Sequence, residues 1–322
     1  MPYRFAMALT TRDLGPEDAE AIAALMLRIE ADHPTGFCLA AGEVVEIMRD
    51  KADAVFDGAF DGDHLVAYTA VMPSLLTDRG QRFTLFGDVD PRRLGEGLGT
   101  LMLGRSVDRA RAIHGDDGSG GPFRIAGAAL ADRDDQAELM RSACFDPGRH
   151  SFLMVAELPD GPPGLALPAG VTVEQFDPEA SDELRNALNA AFADYPEFID
   201  ISREFWTLFM VTSAHTRHAL SVVARDACGS VAAFVFAHEY AVPPSGGAGP
   251  EVHVPYVGTL HQHRGRGLAT ALLSRVLHLS RSAGYATASL NVDTANPTGA
   301  LGIYERAGFR QLYRQDYFHL DA

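Results

Sequence analysis

The order of structural elements read before residue 158 repeats after residue 170, and this repetition constrains the fold more than any other feature of the chain. The stretch between the two copies, LPDGPPGLALPAG at 158–170, cannot sustain a helix or a sheet ladder. Proline lacks the backbone donor and glycine leaves the chain unrestrained, so it reads as a linker. With 322 residues the chain accommodates two domains of about 150 residues each. In the second half, 171–176 alternates as a strand and 182–193 is an amphipathic helix with Leu184, Leu188, Ala191 and Phe192 on one side. A second helix is expected over about 203–212, followed by strands at 219–224 and 231–238 joined by a turn at 225–229. The first half has a strand at 5–10, helices at 16–31 and 43–50, and a hairpin of 54–60 and 65–72 through Asp61-Gly-Asp63. Each half then continues with a strand, a glycine-rich turn, a long helix, another strand, a short helix and a closing hairpin. Duplication of one α+β unit follows, with domains at 1–157 and 171–322.

Composition excludes several function classes. No apolar run approaches the ~18 residues that span a bilayer, so no membrane partner is expected. The opening MPYRFAMALTTRD reaches a charge before a signal-peptide core could form. A formal charge of −16 weighs against nucleic acid, whose binding depends on Lys and Arg neutralising phosphates. It leans weakly toward basic small molecules. Cys38, Cys144 and Cys228 are odd in number, far apart and beside no metal-type histidine pattern. They fit a reducing, cytoplasmic setting with neither disulfides nor a metal.

The glycine turns carry the chemistry. In the second half the strand 252–259 enters LHQHRGRGLA at 260–269, and a helix continues to about 282 with Leu268, Ala271, Leu272, Val276 and Leu279 on its buried side. Such a turn exposes backbone N–H groups at the positive end of a helix dipole and suits phosphate oxygens. A side chain at Gly265 or Gly267 would keep an anion from the backbone. Gln262, Arg264 and Arg266 can add donors, and His261 and His263 are expected in the exposed turn. A P-loop would need a lysine directly after its last glycine, whereas Lys51 is the only lysine. A Rossmann turn would follow the first strand of its unit, and here four elements come first.

Further on, the strand 286–292 leads into DTANPTGALGIYERAGF at 293–309. With these pieces in order, the second half resembles the GNAT superfamily of acyl-CoA-dependent N-acyltransferases. Gln262-x-x-Gly265-x-Gly267 matches that family's pyrophosphate-binding pattern, and Asn296, Tyr304 and Gly308-Phe309 match its later segment. The resemblance covers most of 171–322 and its skeleton recurs over 1–157, an architecture similar to the tandem, mycothiol-synthase-like type. It implies an α+β fold of two tandem domains, each a mixed, mostly antiparallel sheet flanked by helices. It also implies transfer of an acetyl group from acetyl-CoA, as co-substrate, to the amine of a small-molecule acceptor. Pantetheine would pair with the splayed strand at Val257, Gly258 and Thr259. The diphosphate would meet Gln262, Arg264, Gly265, Arg266, Gly267, Leu268 and Ala269, with Asn296 nearby.

The resemblance assigns protonation of the departing thiolate to Tyr304; the competing reading is an aromatic packed beside Phe309. A base must also take a proton from the amine. Glu251 and His253, two apart on a strand, share a face and are the candidates; His238 and Glu239 follow, and all four read equally as strand-edge polar residues. Acceptor pockets in this fold come from the early helices, here about 194–209 with Tyr195, Phe198 and Trp206.

The first half keeps Arg92-x-x-Gly95-x-Gly97 but carries Leu94 and Glu96 where Arg264 and Arg266 stand. Asp132 replaces Asn296, Met140 replaces Tyr304 and Cys144 replaces Gly308. A thioether gives no proton to a thiolate, so this half is expected to be catalytically silent. The competing class for the whole chain is a non-catalytic acyl-CoA-binding or regulatory protein with two degenerate domains.

Overall fold

The computed structural model describes residues 9–33, 38–50, 53–73, 80–116, 121–158, 160, 167–195, 198, 200–294 and 299–322. In chain order the first elements are β1 (Thr10–Asp13), α1 (Ala19–Asp32), α2 (Ala41–Asp50), β2 (Val55–Asp61), β3 (His64–Pro73), β4 (Gln81–Val89), α3 (Leu98–Asp116), β5 (Phe123–Leu130), α4 (Asp134–Ser142) and β6 (Asp146–Glu157). They are followed by β7 (Thr172–Gln175), α5 (Ser181–Phe192), α6 (Arg203–Trp206), β8 (Val222–Arg225), β9 (Val231–Val235), β10 (Glu251–His253), β11 (Val257–Thr259), α7 (Leu268–Ser282), β12 (Thr287–Asp293), α8 (Ala300–Arg306) and β13 (Arg310–Asp321). Among the described residues no helix is long and apolar enough to cross a membrane.

The chain forms two compact units, Met1–His150 with Tyr313–Ala322, and Ser151–Leu312. These are not the boundaries 1–157 and 171–322 expected from the linker, and the closing hairpins are not formed as expected. Register explains both differences. Ser151 to Glu157 of β6 pair antiparallel with Asp293 to Thr287 of β12. Gln315 to Asp321 of β13 pair antiparallel with Leu130 to Arg124 of β5. The last residues of the chain therefore complete the first unit, and the end of β6 completes the second. The linker positions 159 and 161–166 lie outside the described residues.

The first unit runs β1-β2-β3-β4-β5-β13, antiparallel except for the β4–β5 pair. Its first described strand is Thr10–Asp13, placed by the pairing of Thr10 with Phe60 and of Asp13 with Asp57; residues 5–8 of the strand expected at 5–10 lie outside the described residues. Helix α1 buries Ile22, Leu25, Met26 and Ile29, the stripe that a 3.6-residue period predicts.

In the second unit one row runs β7-β8-β9-β11, antiparallel throughout. The other places β12 between β6 and β10, with β10 parallel to it. Alternation sorts the strand residues onto two cores. Val222, Ala224, Ala233, Val235, Val252 and Leu290 pack with Leu272, Val276 and Tyr304. Val223, Phe234 and Phe236 pack with Leu184, Leu188 and Trp206. Trp206 is only 1% exposed and belongs to this core, so it does not line an acceptor pocket. The second helical stretch changes character after Trp206: Thr207–Val211 is a π-helix.

Candidate active site

The strand expected at 252–259 is broken, and the break makes the site. Glu251 to His253 pair with Thr287 to Ser289, and Val254 N–H donates the last bond on that side, to Ser289 O at 2.8 Å. Pro255 has no N–H to continue the ladder. Beyond it the chain pairs only with β9, Val257 opposite Val235 and Thr259 opposite Ala233. Phe236 N–H donates to Tyr256 O and Leu260 N–H to Ala232 O, each at 3.0 Å. Tyr256, Gly258 and Leu260 thus spend their backbone groups on β9, and the alternation of an antiparallel ladder turns those of Val257 and Thr259 toward the open edge. The Val257 N–H makes no hydrogen bond among the described residues.

The turn follows directly. Gly265 and Gly267 have φ of +75° and +78°, the left-handed region, and a Cβ built on either meets no atom within 4 Å. Glycine is needed here for conformation and leaves open space above the backbone. Leu268, 1% exposed, anchors the start of α7 in the core. The N–H groups of Gly265, Arg266, Gly267, Leu268 and Ala269 make no hydrogen bond among the described residues. They lie where the helix dipole is positive.

Side chains of the turn divide into braces and free groups. Arg264 is a brace: its guanidinium donates to Asp194 Oδ2 at 3.0 Å, Ala191 O at 2.9 Å and Thr259 O at 3.3 Å. This ties the turn to the end of α5 and corrects the expectation that Arg264 is a free phosphate donor. His263 is buried rather than exposed, with Nε2 3.4 Å from Asp226 Oδ2 and Nδ1 taking a bond from Arg266 at 3.2 Å. His261 is exposed, 3.8 Å from Asp194. Gln262 is exposed and makes no hydrogen bond among the described residues. Asn296 lies outside them.

Tyr304 sits on α8, which ends in a left-handed Gly308 (φ +94°) with Phe309 N–H returning to Tyr304 O at 3.0 Å. The Tyr304 ring meets Phe309 edge-on at 6.2 Å. Burial pushes its phenol up to about 12, so the hydroxyl keeps its proton at neutral pH. That hydroxyl has no hydrogen-bond partner among the described residues.

The base candidates separate by their partners. Glu251 is 2% exposed and its carboxylate is occupied: it accepts from the Ser245 hydroxyl, Ser245 N–H at 3.3 Å and Thr287 Oγ1 at 3.2 Å. Glu239 accepts from Tyr285 at 2.6 Å and Arg217 at 2.8 Å. His253 has Nδ1 2.9 Å from Ser289 Oγ and no described hydrogen-bond partner at Nε2. Burial lowers His253 to about 4. His238 is lowered to about 3, by burial first and then by neighbouring His253, His215 and Arg217. Both imidazoles are neutral at pH 7. Among the described residues no cluster of His, Cys, Asp and Glu is placed to hold a metal ion.

A family model for the GNAT acetyltransferases matches residues 181–309. A mycothiol acetyltransferase from Clavibacter sepedonicus is 32% identical over 232 residues, 69% of this chain and 67% of its own length. The chain belongs to the GNAT acetyltransferase family. Its fold is that of tandem GNAT proteins. A crystal structure of a GCN5-related N-acetyltransferase from Sphaerobacter thermophilus has a TM-score of 0.76 at 23% identity, covering 97% of this chain and 95% of that one. A tandem GNAT protein from the clavulanic acid biosynthesis pathway has a TM-score of 0.73 at 15% identity, covering 98% of each.

The GNAT turn of the first unit keeps its backbone and loses its opening. Gly95 and Gly97 have φ of +78° and +79° with open space above them, and β4 leaves β5 after Thr84 pairs with Ala126. Glu96 is held by Arg93 at 2.7 Å. Across the parted strands, Gln136 of α4 donates to Asp88 Oδ2 at 3.2 Å and accepts from Leu130 N–H at 3.3 Å. Asp88 stands seven residues before Gly95, as Gly258 stands before Gly265, and Gln136 four before Met140, as Ala300 stands before Tyr304. Where the second unit has a hydrogen and a methyl group, the first has a hydrogen-bonded bridge. The sequence signal for this was available in the Asp88 and Gln136 positions, which the motif comparison does not cover.

Proposed function

We propose that the second unit transfers an acetyl group from acetyl-CoA to the amine of a small-molecule acceptor by direct attack. The observation that carries this reading is the outward-facing backbone edge at Val257, whose N–H is unpaired among the described residues, continuous with the unpaired N–H groups of Gly265 to Ala269. The edge offers pantetheine a strand-like partner, and the turn offers the diphosphate main-chain donors without a Cβ in the way. Arg264 shapes the turn through Asp194, Gln262 is the side chain free to reach phosphate oxygens, and Arg266, held to His263 through one guanidinium nitrogen, has its remaining donors to offer.

The reaction forms the acceptor N–C bond and breaks the C–S bond. Val257 N–H, at the opening, is placed to donate to the carbonyl oxygen as it gains charge. His253, with Nδ1–H donating to Ser289, presents the Nε2 lone pair to the nitrogen. The proton it takes comes from the tetrahedral adduct, whose nitrogen is far more acidic than a free ammonium, so a weakly basic imidazole suffices. Tyr304 gives its proton to the departing sulfur and regains one from solvent. Glu251 holds the 245 loop to β10 and β12 and is a positioning residue.

The first unit is proposed as a scaffold in which the bridge of Asp88 and Gln136 occupies the coenzyme cleft. Thiol release from acetyl-CoA in the presence of a panel of primary amines tests the activity. Acetyl-CoA binding with no release for any amine would support the non-catalytic alternative.

A further inference from the structure

The face of the second unit turned away from α7 carries a pattern that bond making and breaking do not use. Val252 and Val254 point into the core under α7, and Val257 packs on that same core. The odd spacing from 254 to 257 means that the irregularity at Pro255 throws Tyr256 onto the opposite face, with Phe234 and Phe236. There the Tyr256 ring meets Phe192 edge-on at 5.8 Å, and Phe192 stacks on Phe198 at 5.6 Å. All three rings are only half-buried. The Tyr256 hydroxyl has no hydrogen-bond partner among the described residues.

Several charged groups of the second unit are already held by protein partners. Arg264 is bound to Asp194, Arg185 to Asp182 and to Ile201 O, and Arg217 to Glu239. Glu251 is bound to Ser245 and Thr287. What this wall presents is the set of aromatic rings Tyr256, Phe192 and Phe198. Half-wet rings gain when a ligand removes their apolar surface from water. A carboxylated or phosphorylated acceptor would lose its water against this wall with no counter-charge in return.

We propose that the acceptor is a primary amine carried on an aromatic or extended apolar framework that lies against Tyr256, Phe192 and Phe198. This rests on the acetyltransferase reading above. Tyr256 is then a specificity residue, and its ring sets affinity for the framework while His253 and Tyr304 serve the reacting atoms.

Phenethylamine and glucosamine, two primary amines of opposite character, test this with thiol-release kinetics on the full chain. Phenethylamine is expected to have a kcat/KM at least ~10-fold above glucosamine, the scale on which apolar contacts discriminate. Tyr256→Ala raises the KM for phenethylamine about tenfold, whereas Tyr256→Phe, which keeps the ring, retains the phenethylamine preference. Titration with acetyl-CoA checks that each variant is folded. A preference for glucosamine, or an equal loss of kcat for both amines in Tyr256→Ala, overturns the acceptor class and leaves the acetyltransferase reading standing. Release with neither amine, by a chain that also fails to bind acetyl-CoA, overturns both.

Discussion

The α-carbon of Gly258 lies beneath the ring of Phe234, so close that a methyl group built on it would fall 2.1 Å from Cζ. Phe234 is fully buried and stacked on Phe236 at 4.8 Å, so the ring cannot swing away cheaply. Gly258→Ala therefore has to push β11 off β9, at the strand whose other edge is proposed to bind pantetheine. We expect a loss of about 1–3 kcal/mol of stability together with weaker acetyl-CoA binding, read by denaturant titration and calorimetry. A destabilised variant that binds acetyl-CoA with native affinity would show that the strand edge is not the binding surface.

Tyr304→Phe removes a buried hydroxyl that has no described protein partner, so folding should be nearly unaffected. If the phenol protonates the leaving thiolate, kcat falls by about 10²-fold and the acetyl-CoA dissociation constant stays the same. Because burial raises the phenol to about 12, the native rate should show no alkaline limb from this group below pH 10. Unchanged turnover in the variant would remove Tyr304 from the mechanism.

Local backbone geometry was legible in the sequence, and long-range pairing was not. Gly265 and Gly267 are readable because only glycine tolerates their backbone angles without cost, and Tyr304 because it sits at a fixed offset from Gly308. Arg264 and His263 read as free turn residues because their partners, Asp194 and Asp226, lie 70 and 37 positions away on elements whose placement a spacing pattern does not reveal. The same holds for Glu251, whose carboxylate is claimed by Ser245 from a loop without any motif. The pairing of β6 with β12 and of β13 with β5 escapes sequence order altogether, since a strand's alternation marks its faces and not its neighbours.

Cys144 occupies the left-handed position that Gly308 holds in the second unit, with φ +64°. The flanking bonds are alike: Phe145 N–H returns to Met140 O and Phe309 N–H to Tyr304 O, both at 3.0 Å. The motif is therefore formed at Cys144 despite the strain that a Cβ brings to this region. Cys144→Gly should stabilise the chain by about 0.5–1 kcal/mol and raise Tm by roughly 2 °C, with acetyl transfer unchanged. A lower Tm would mean that the side chain contributes more than the strain costs.

The bridge from Gln136 to Asp88 predicts the coenzyme stoichiometry. Calorimetry on the native chain should find one acetyl-CoA site, abolished by Arg266→Glu with Gly267→Val in the second unit. Asp88→Gly combined with Gln136→Ala restores at both positions the small residues found in the second unit, and should create a second, weaker site. Two equivalent sites in the native protein would contradict the scaffold assignment.

His253 and His238 make stability depend on pH in a defined window. Both are held neutral in the folded chain, with values lowered to about 4 and about 3, against about 6.5 when unfolded. Above pH 6.5 neither state is protonated and the full stability is present. As pH falls below 6.5 the unfolded chain takes up protons that the folded chain refuses, so stability is lost progressively toward pH 4. Each group loses about 1.4 kcal/mol per pH unit at most, which amounts to roughly 2 kcal/mol per histidine at pH 5. Thermal scans between pH 7.5 and 4.5 should show Tm falling with a slope that His253→Gln reduces, because glutamine can keep the Ser289 bond without titrating. The same variant should lose turnover at pH 7 while binding acetyl-CoA normally. If its turnover is native and only the slope changes, His253 is a buried structural imidazole and takes no part in the proton transfer.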